Sequence, residues 1–375
     1  MGKNNLEETK KTVVSRKKGS KRGKTKSKGR KILLGVFIAF VVLIIGTLGA
    51  AYAIFKGYFN STNYVSDEDV TIFHESDISV ELDGSGEEAN AEEIAKAEAE
   101  LEENLNTEIK DNSEVLNILL IGTDRRQENW HGNSDSIILA SINRQTKQII
   151  LTSIMRDTYA AIPGNGNSKI NRAHALGGGP LLVQTVEQNF KVDIDYYASV
   201  NFNGFMNVVD VVGGIPMYVS PEEVTVANKY IEEINRLNGL PDTSGMLPAS
   251  GGNFNLTGKQ ALAYSRIRYV GNADYQRTER QRNVLNQIFV KAKALSITQL
   301  DSVAKSILPT VTHNIPEADV MSLLLELPSF MGYEIVSSRI PYDGLFQSMN
   351  IGGQGMLVPN WSATIERLHQ NIYGN

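Results

Sequence analysis

Asp124, Asp135 and Arg156 each stand at the end of a short apolar run, and two carboxylates beside a guanidinium suit phosphate chemistry. Carboxylate oxygens form the hard partial shell that Mg²⁺ or Mn²⁺ favours, leaving coordination positions open for water and phosphate oxygens. Further along, Arg266 and Arg268 alternate at the spacing of one face of a strand, and Arg277 and Gln281 are i, i+4 neighbours on one face of a helix. Guanidinium forks grip phosphate oxygens two at a time and stay charged at any working pH, so this set fits a pyrophosphate or a phosphodiester. Lys169, in the loop-like segment GNGNSK, is a further candidate for an anionic ligand. Any one of these residues alone would pass as ordinary surface. Their convergence where chain segments end is what points to a site.

Other chemistries find no support. The five histidines lack the spacing of a zinc site, no G-x-S-x-G elbow is present, and GNGNSK lacks Walker A spacing. The absence of cysteine removes disulfides, thiolate catalysis and Cys-ligated metals.

The elements that must position these side chains read as a mixed α/β domain. Val115 to Gly122, Ser136 to Ile142 and Gln148 to Ile154 are strand-like, and their short connections predict antiparallel neighbours. That pairing gathers the end of the first strand, the start of the second and the end of the third, hence Asp124, Asp135 and Arg156, at one sheet edge. Pro180 to Phe190 and Gly204 to Val212 read as helices, and Tyr196 to Asn201 and Ile215 to Val219 as strands, which predicts a largely antiparallel or mixed central sheet flanked by helices. Residues 220–252, rich in proline and glycine, read as an insertion or lid. Thr257 is a candidate N-cap for a short helix, Tyr264 to Tyr269 reads as a strand, and a long helix follows from about Asp274 to Leu295.

Charge divides the chain. Residues 1–31 hold thirteen Lys or Arg against two acids, a net of +11, although the whole chain is −5. An uncharged run of 24 residues, 32–55, follows; as a helix it extends roughly 36 Å, enough to cross a hydrocarbon core of about 30 Å. Basic residues stay on the cytoplasmic side, so the remainder is expected outside the cytoplasm. Ala51-Tyr52-Ala53 resembles a signal-peptide cleavage site, but the run is about twice the usual length of such a signal. Residues 56–113 carry three bases and seventeen acids and read as a charged stalk, leaving 114–375 as a nearly neutral catalytic domain. A basic tail of 31 residues gives no room for a helix-turn-helix, so nucleic acid is not an expected partner.

Eight segments occur in order between residues 115 and 285: NILLIGTDRR, SDSIILASIN, SIMRDTYAAIPG, KINRAHALGG, IDYYASVNFNGF, VVGGI, LTGKQALAYSRIR and DYQRTERQRNVL. Together they resemble the LytR-CpsA-Psr family. The resemblance implies a phosphotransferase that moves wall teichoic acid or capsular polysaccharide from a polyprenyl-pyrophosphate carrier to the muramic acid 6-hydroxyl of peptidoglycan. It assigns Asp124 and Asp135 to Mg²⁺, Arg156 to the S-x-x-R-D motif, and Arg266, Arg268, Arg277 and Gln281 to the pyrophosphate, with an apolar tunnel for the lipid. Two positions depart from the family pattern. Asn133 stands where the family often has Arg, so a phosphate contact is either missing or supplied by Arg125 or Arg126, and Met155 replaces a frequent Pro. A pyrophosphatase using water as acceptor, or a membrane-bound transcriptional attenuator or glycan-binding regulator, are the alternative readings.

Overall fold

Val, Ile and Leu dominate residues 115–121, 137–142 and 149–154, and such branched apolar runs favour strands covered on both faces. The structure, a computed structural model, describes residues 52–66, 73, 82–84, 86–123, 131–268, 270 and 274–374. The chain divides into two units, Met1–Lys56 and Gly57–Asn375. Most of the first, including residues 32–51 of the expected span, lies outside the described residues; among those described, no helix is long and apolar enough to cross a membrane.

The second unit begins with a short strand, Asn63–Tyr64 (β1), and a helix, Ala91–Leu105 (α1). Three central strands follow, Val115–Thr123 (β2), Ser134–Asn143 (β3) and Gln148–Ile154 (β4), then a hairpin of Tyr159–Ala161 (β5) and Asn167–Lys169 (β6). Helix Arg172–Phe190 (α2), strand Tyr196–Asn201 (β7) and helix Phe202–Val211 (α3) come next. The middle of the chain holds Ile215–Val219 (β8), Pro221–Leu237 (α4), Gly252–Leu256 (β9), Gly258–Ser265 (α5) and Asp274–Lys293 (α6). The last stretch holds Ile297–Ile307 (α7), Val311–His313 (β10), Glu317–Phe330 (α8), Glu334–Ile340 (β11), Phe346–Ile351 (β12), Gln354–Pro359 (β13) and Trp361–Tyr373 (α9).

Seven strands form one sheet in the order β1-β10-β7-β2-β3-β4-β11. Three of its pairings are parallel and three antiparallel, so it is evenly mixed rather than largely antiparallel. The expected gathering of strand ends is present: Thr123 lies opposite Ser134, and Ile137 opposite Ile154. Alternate residues face opposite ways. Leu119, Ile121, Ile137, Leu139 and Ile154 pack under α1, α2 and α9, whereas Leu120, Ile138, Ala140, Ile149 and Leu151 face Leu285 of α6.

Three readings need correction. The segment 220–252 is not a lid over its first half: Ser220 and Glu223 form a capping box for α4, and Val224, Ala227 and Ile231 are buried in a core shared with α3 and α5, while residues 238–251 are turns and loop. Over the described residues 264–268 the expected strand is absent, since α5 runs to Ser265 and Arg266 is its C-cap; Tyr269 lies outside the described residues. Pro180 to Phe190 is helical as expected, and a helical stretch from Arg172 precedes it across a break at Gly177 and Gly178, where Gly178 takes φ of 62°, a conformation that glycine adopts without strain. The spacer reading of 56–113 fails over its second half: Ala97 and Leu101 of α1 are buried in the main core, and Gly84 and Ala89 hydrogen-bond the β12–β13 hairpin at 2.9 and 2.8 Å. Only one apolar stripe of α1 is needed for this, which is why its acidic composition conceals it.

Candidate active site

Asp135, second residue of β3, and Arg156, two residues beyond β4, meet across the antiparallel pair: Arg156 Nη1 lies 2.8 Å from Asp135 Oδ1. Arg156 is only 8% exposed, so its charge requires compensation in place. Asp157 supplies more of it, with Oδ2 3.4 Å from Arg156 Nε. The β5–β6 hairpin turns the chain back so that Tyr159 pairs with Lys169, and Lys169 Nζ reaches Asp157 Oδ1 at 3.0 Å and Asp83 Oδ1 at 2.6 Å. Arg268 Nη2 stands 4.0 Å from Asp157 Oδ2. Burial pushes the Asp157 carboxyl up, but Arg156, Lys169 and Arg277 together outweigh it and hold the group below the usual carboxylate range. Asp157 is thus ionised and surrounded by cations.

The two arginines after α5 diverge. Arg266, at the helix end, lies between the rings of Phe202 and Tyr230, 5.1 and 4.6 Å from their centroids, and pairs with Glu233 at 3.3 Å. Arg268 turns toward Asp157 instead, so the pair does not share the strand face expected of it. Arg277 and Gln281 do share a face of α6: Arg277 is 4% exposed and its charge is felt at Asp157, while Gln281 Nε2 is 3.5 Å from the Asp135 carbonyl. Asp124 and Arg125 lie outside the described residues.

Three residues that hold this arrangement together were not singled out in the sequence. Asp157 could have been, since it directly follows Arg156. Asp83 could not, being 86 positions from Lys169 in a segment of acidic composition. Arg280 donates to Glu223 Oε1 at 2.8 Å, to the Ile267 carbonyl at 3.1 Å and to the Val270 carbonyl at 3.2 Å, and so fixes the link between α5 and α6 on which Arg268 sits.

Behind Asp135 a cavity of about 280 Å³ runs between the sheet and helices α3, α5 and α6. Leu120, Ile138, Val200, Phe205, Leu262 and Ile288 are among its apolar lining, and Asp135, Arg266 and Gln281 supply polar groups. Close approach of α3 and α5 shapes it: a Cβ on Gly258 would fall 2.1 Å from the Met206 carbonyl oxygen. An apolar slot opening beside fixed guanidinium groups fits an amphiphile with a hydrocarbon tail and an anionic head. Among the described residues no three His, Asp or Glu side chains are grouped to hold a metal.

Comparison with known proteins agrees with this geometry. The LytR_cpsA_psr family profile matches residues 79–366. The polyisoprenyl-teichoic acid--peptidoglycan teichoic acid transferase TagU of Enterococcus faecalis (strain ATCC 700802 / V583) is 30% identical over 311 residues, covering 82% of this chain and 86% of that protein. The corresponding transferase TagT of Bacillus subtilis (strain 168) is 31% identical over 262 residues, covering 68% and 77%. Among solved structures, the LytR-CPS2A-psr family protein YwtF (TagT) with bound octaprenyl pyrophosphate lipid superposes with a TM-score of 0.52 at 26% identity, covering 72% of this chain and 95% of that one.

Proposed function

The chain belongs to the LytR-CpsA-Psr family, and on that premise we propose that it transfers an anionic glycopolymer, of the wall teichoic acid kind, from a polyprenyl-pyrophosphate carrier to peptidoglycan. The observation that carries this reading is the apolar cavity with Asp135, Arg266 and Gln281 in its lining and the Arg156 ion pair at Asp135. Such a site takes the polyprenyl chain into the cavity and leaves the pyrophosphate among the arginines.

In the reaction a peptidoglycan hydroxyl attacks the phosphorus that bears the glycan, the bridging P–O bond breaks, and polyprenyl phosphate leaves. Catalysis of this kind is positioning and charge stabilisation. Arg156 stabilises the charge that grows on the phosphate oxygens, and its buried salt bridges fix the guanidinium before substrate arrives. Arg268 and Arg277 add positive charge around Asp157, Lys169 anchors that carboxylate from the opposite side, and Arg266 stands at the cavity. Mg²⁺ is bound in proteins by one or two carboxylates together with substrate phosphate oxygens, so Asp135, with Asp124, would hold it and it would supply further charge neutralisation. An N-terminal span over residues 32–55, with the catalytic unit outside the cytoplasm, supplies the compartment where lipid carrier and peptidoglycan meet.

Arg156→Ala tests the assignment. In a purified system with a polyprenyl-pyrophosphate-linked glycan and peptidoglycan, transfer is expected to fall by about 10²-fold or more, with the thermal unfolding transition still cooperative. A variant that transfers at the wild-type rate would remove Arg156 from the mechanism. A pyrophosphatase would use the same residues with water as acceptor; release of free glycan phosphate at equal rates with and without peptidoglycan would decide for that alternative.

A further inference from the structure

A second cavity, of about 530 Å³, wraps β11 and includes Arg339 and Arg367 among its lining residues. Strand β11 is the last in the sheet order, and the cavity extends from it to α9. Both arginines are held by their surroundings. Arg367 stacks over the Tyr342 ring at 4.4 Å, and the Tyr342 hydroxyl accepts from Asn371 Nδ2 at 2.9 Å. Arg339 donates to the Pro341 carbonyl at 3.1 Å and pairs with Asp343. Hydroxyls and amides of Ser337, Ser338 and Gln370 complete a lining of hydrogen-bonding groups.

This cavity begins beside the active site. Arg339 Nη1 lies 3.8 Å from Met155 Sδ, and Met155 directly precedes Arg156. On the facing helix, Gln281 touches Asp135 and the next residue, Arg282, is close enough to Arg339 for the two charges to repel. Arg282 Nη1 is buried and makes no hydrogen bond among the described residues. The sheet order also gives a direction. The hydrocarbon cavity lies over β7, β2 and β3 on the α6 face, the Asp135–Arg156 pair spans β3 and β4, and the second cavity starts at Arg339 on that face and rounds the edge strand β11 to Ile150, Ser338 and Arg367 on the α9 face. A substrate with its tail in the first cavity and its pyrophosphate at Arg156 points its other end toward Arg339.

We infer that Arg339 and Arg367 line a subsite for a polymer of repeating phosphodiesters, each gripping a phosphate of the chain beyond the pyrophosphate while the neighbouring hydroxyl and amide groups bind its polyol or sugar. The inference rests on the transferase reading and adds to it a dependence on polymer length. Among the described residues that line this cavity, Asp343 is the only acid, so the two guanidinium groups leave an excess of positive charge there. Guanidinium groups held in advance recognise repeated anions through charge-assisted hydrogen bonds.

The test uses the full chain in detergent and two lipid-free probes, a glycerol phosphate dimer and a longer poly(glycerol phosphate) oligomer. Wild-type protein is expected to bind the long probe about tenfold more tightly than the dimer, because one added guanidinium contact is worth roughly that factor. Arg367→Gln, a change at an exposed position on α9, and Arg339→Gln are each expected to remove the preference and leave the dimer unaffected. Equal affinity for both probes in the wild type, or a preference that survives in R367Q, overturns the subsite. A phosphate-free muropeptide that binds with the same sensitivity to R367Q also overturns it, in favour of the acceptor. Octaprenyl pyrophosphate binding, measured on the same samples, separates the two levels: if that lipid fails to bind, the transferase reading falls, and if it binds without any length preference, only the subsite does.

Discussion

At the scale of single residues, the site is a balance of buried charges with Asp157 at its centre. Arg156 and Lys169 both pair with its carboxylate, and Arg268 stands at 4.0 Å. Asp157→Asn keeps the shape and removes the charge, leaving buried cations short of a partner, and is expected to cost about 3 kcal/mol of stability at neutral pH. The sign of the pH dependence follows from the lowered titration of this group. Its unfolded carboxyl titrates near 3.9 and its folded one lower, so its contribution is complete above the unfolded value and disappears as pH falls through the folded value. Urea unfolding of wild type and D157N at a series of pH values checks this: the gap is expected to narrow below about pH 4, and a gap that is constant with pH, or absent, would remove Asp157 from its central place. Asp135, Arg156, Arg277 and Gln281 were legible because strand ends and helix faces follow from local periodicity. Asp83 was not, because nothing local to the sequence joins it to Lys169.

At the scale of elements, the same distinction explains where the reading of the chain succeeded. Strands β4, β7 and β8 have the bounds expected from their apolar runs, and Thr257 caps α5 as expected. The strand assigned to Tyr264–Tyr269 failed because Arg-Ile-Arg alternation is also what a chain leaving a helix can show, and the stacking of Arg266 on Phe202 and Tyr230 is a tertiary effect. Helix α4 was missed because the prolines and glycines around it outweighed its Ser220–Glu223 capping box. Helices α3, α5 and α6 matter to the proposed function because they roof the apolar cavity. Ala198, on β7, lines that space, so Ala198→Leu fills part of it. Displacing about two methylenes of bound tail costs roughly 1.6 kcal/mol, which is about tenfold in affinity for octaprenyl pyrophosphate. Fluorescence titration checks the figure, with geranyl pyrophosphate as a short-tailed comparison expected to lose less. Unchanged affinity for the long lipid would place the tail elsewhere.

At the scale of the whole molecule, the question is which side of a membrane the site occupies. The +11 of residues 1–31 precedes an uncharged run of 24 residues, and the chain beyond is acidic. Positive residues resist translocation, so this asymmetry predicts an inward N-terminus with residues 57–375 across the membrane, the topology we propose. Within that unit residues 62–64 are folded in rather than loose: Asn63 and Tyr64 pair with Thr312 and His313, and Thr62 Oγ1 lies 2.9 Å from His313 Nε2. The unit is therefore expected to be attacked as a folded body, beginning in its most accessible loops. Protease added to intact protoplasts is expected to degrade it while an epitope placed at the N-terminus stays protected until the membrane is opened. A C-terminal unit that survives until lysis would put Arg156 and the cavity on the cytoplasmic side, away from the peptidoglycan acceptor, and glycopolymer transfer could not be its reaction.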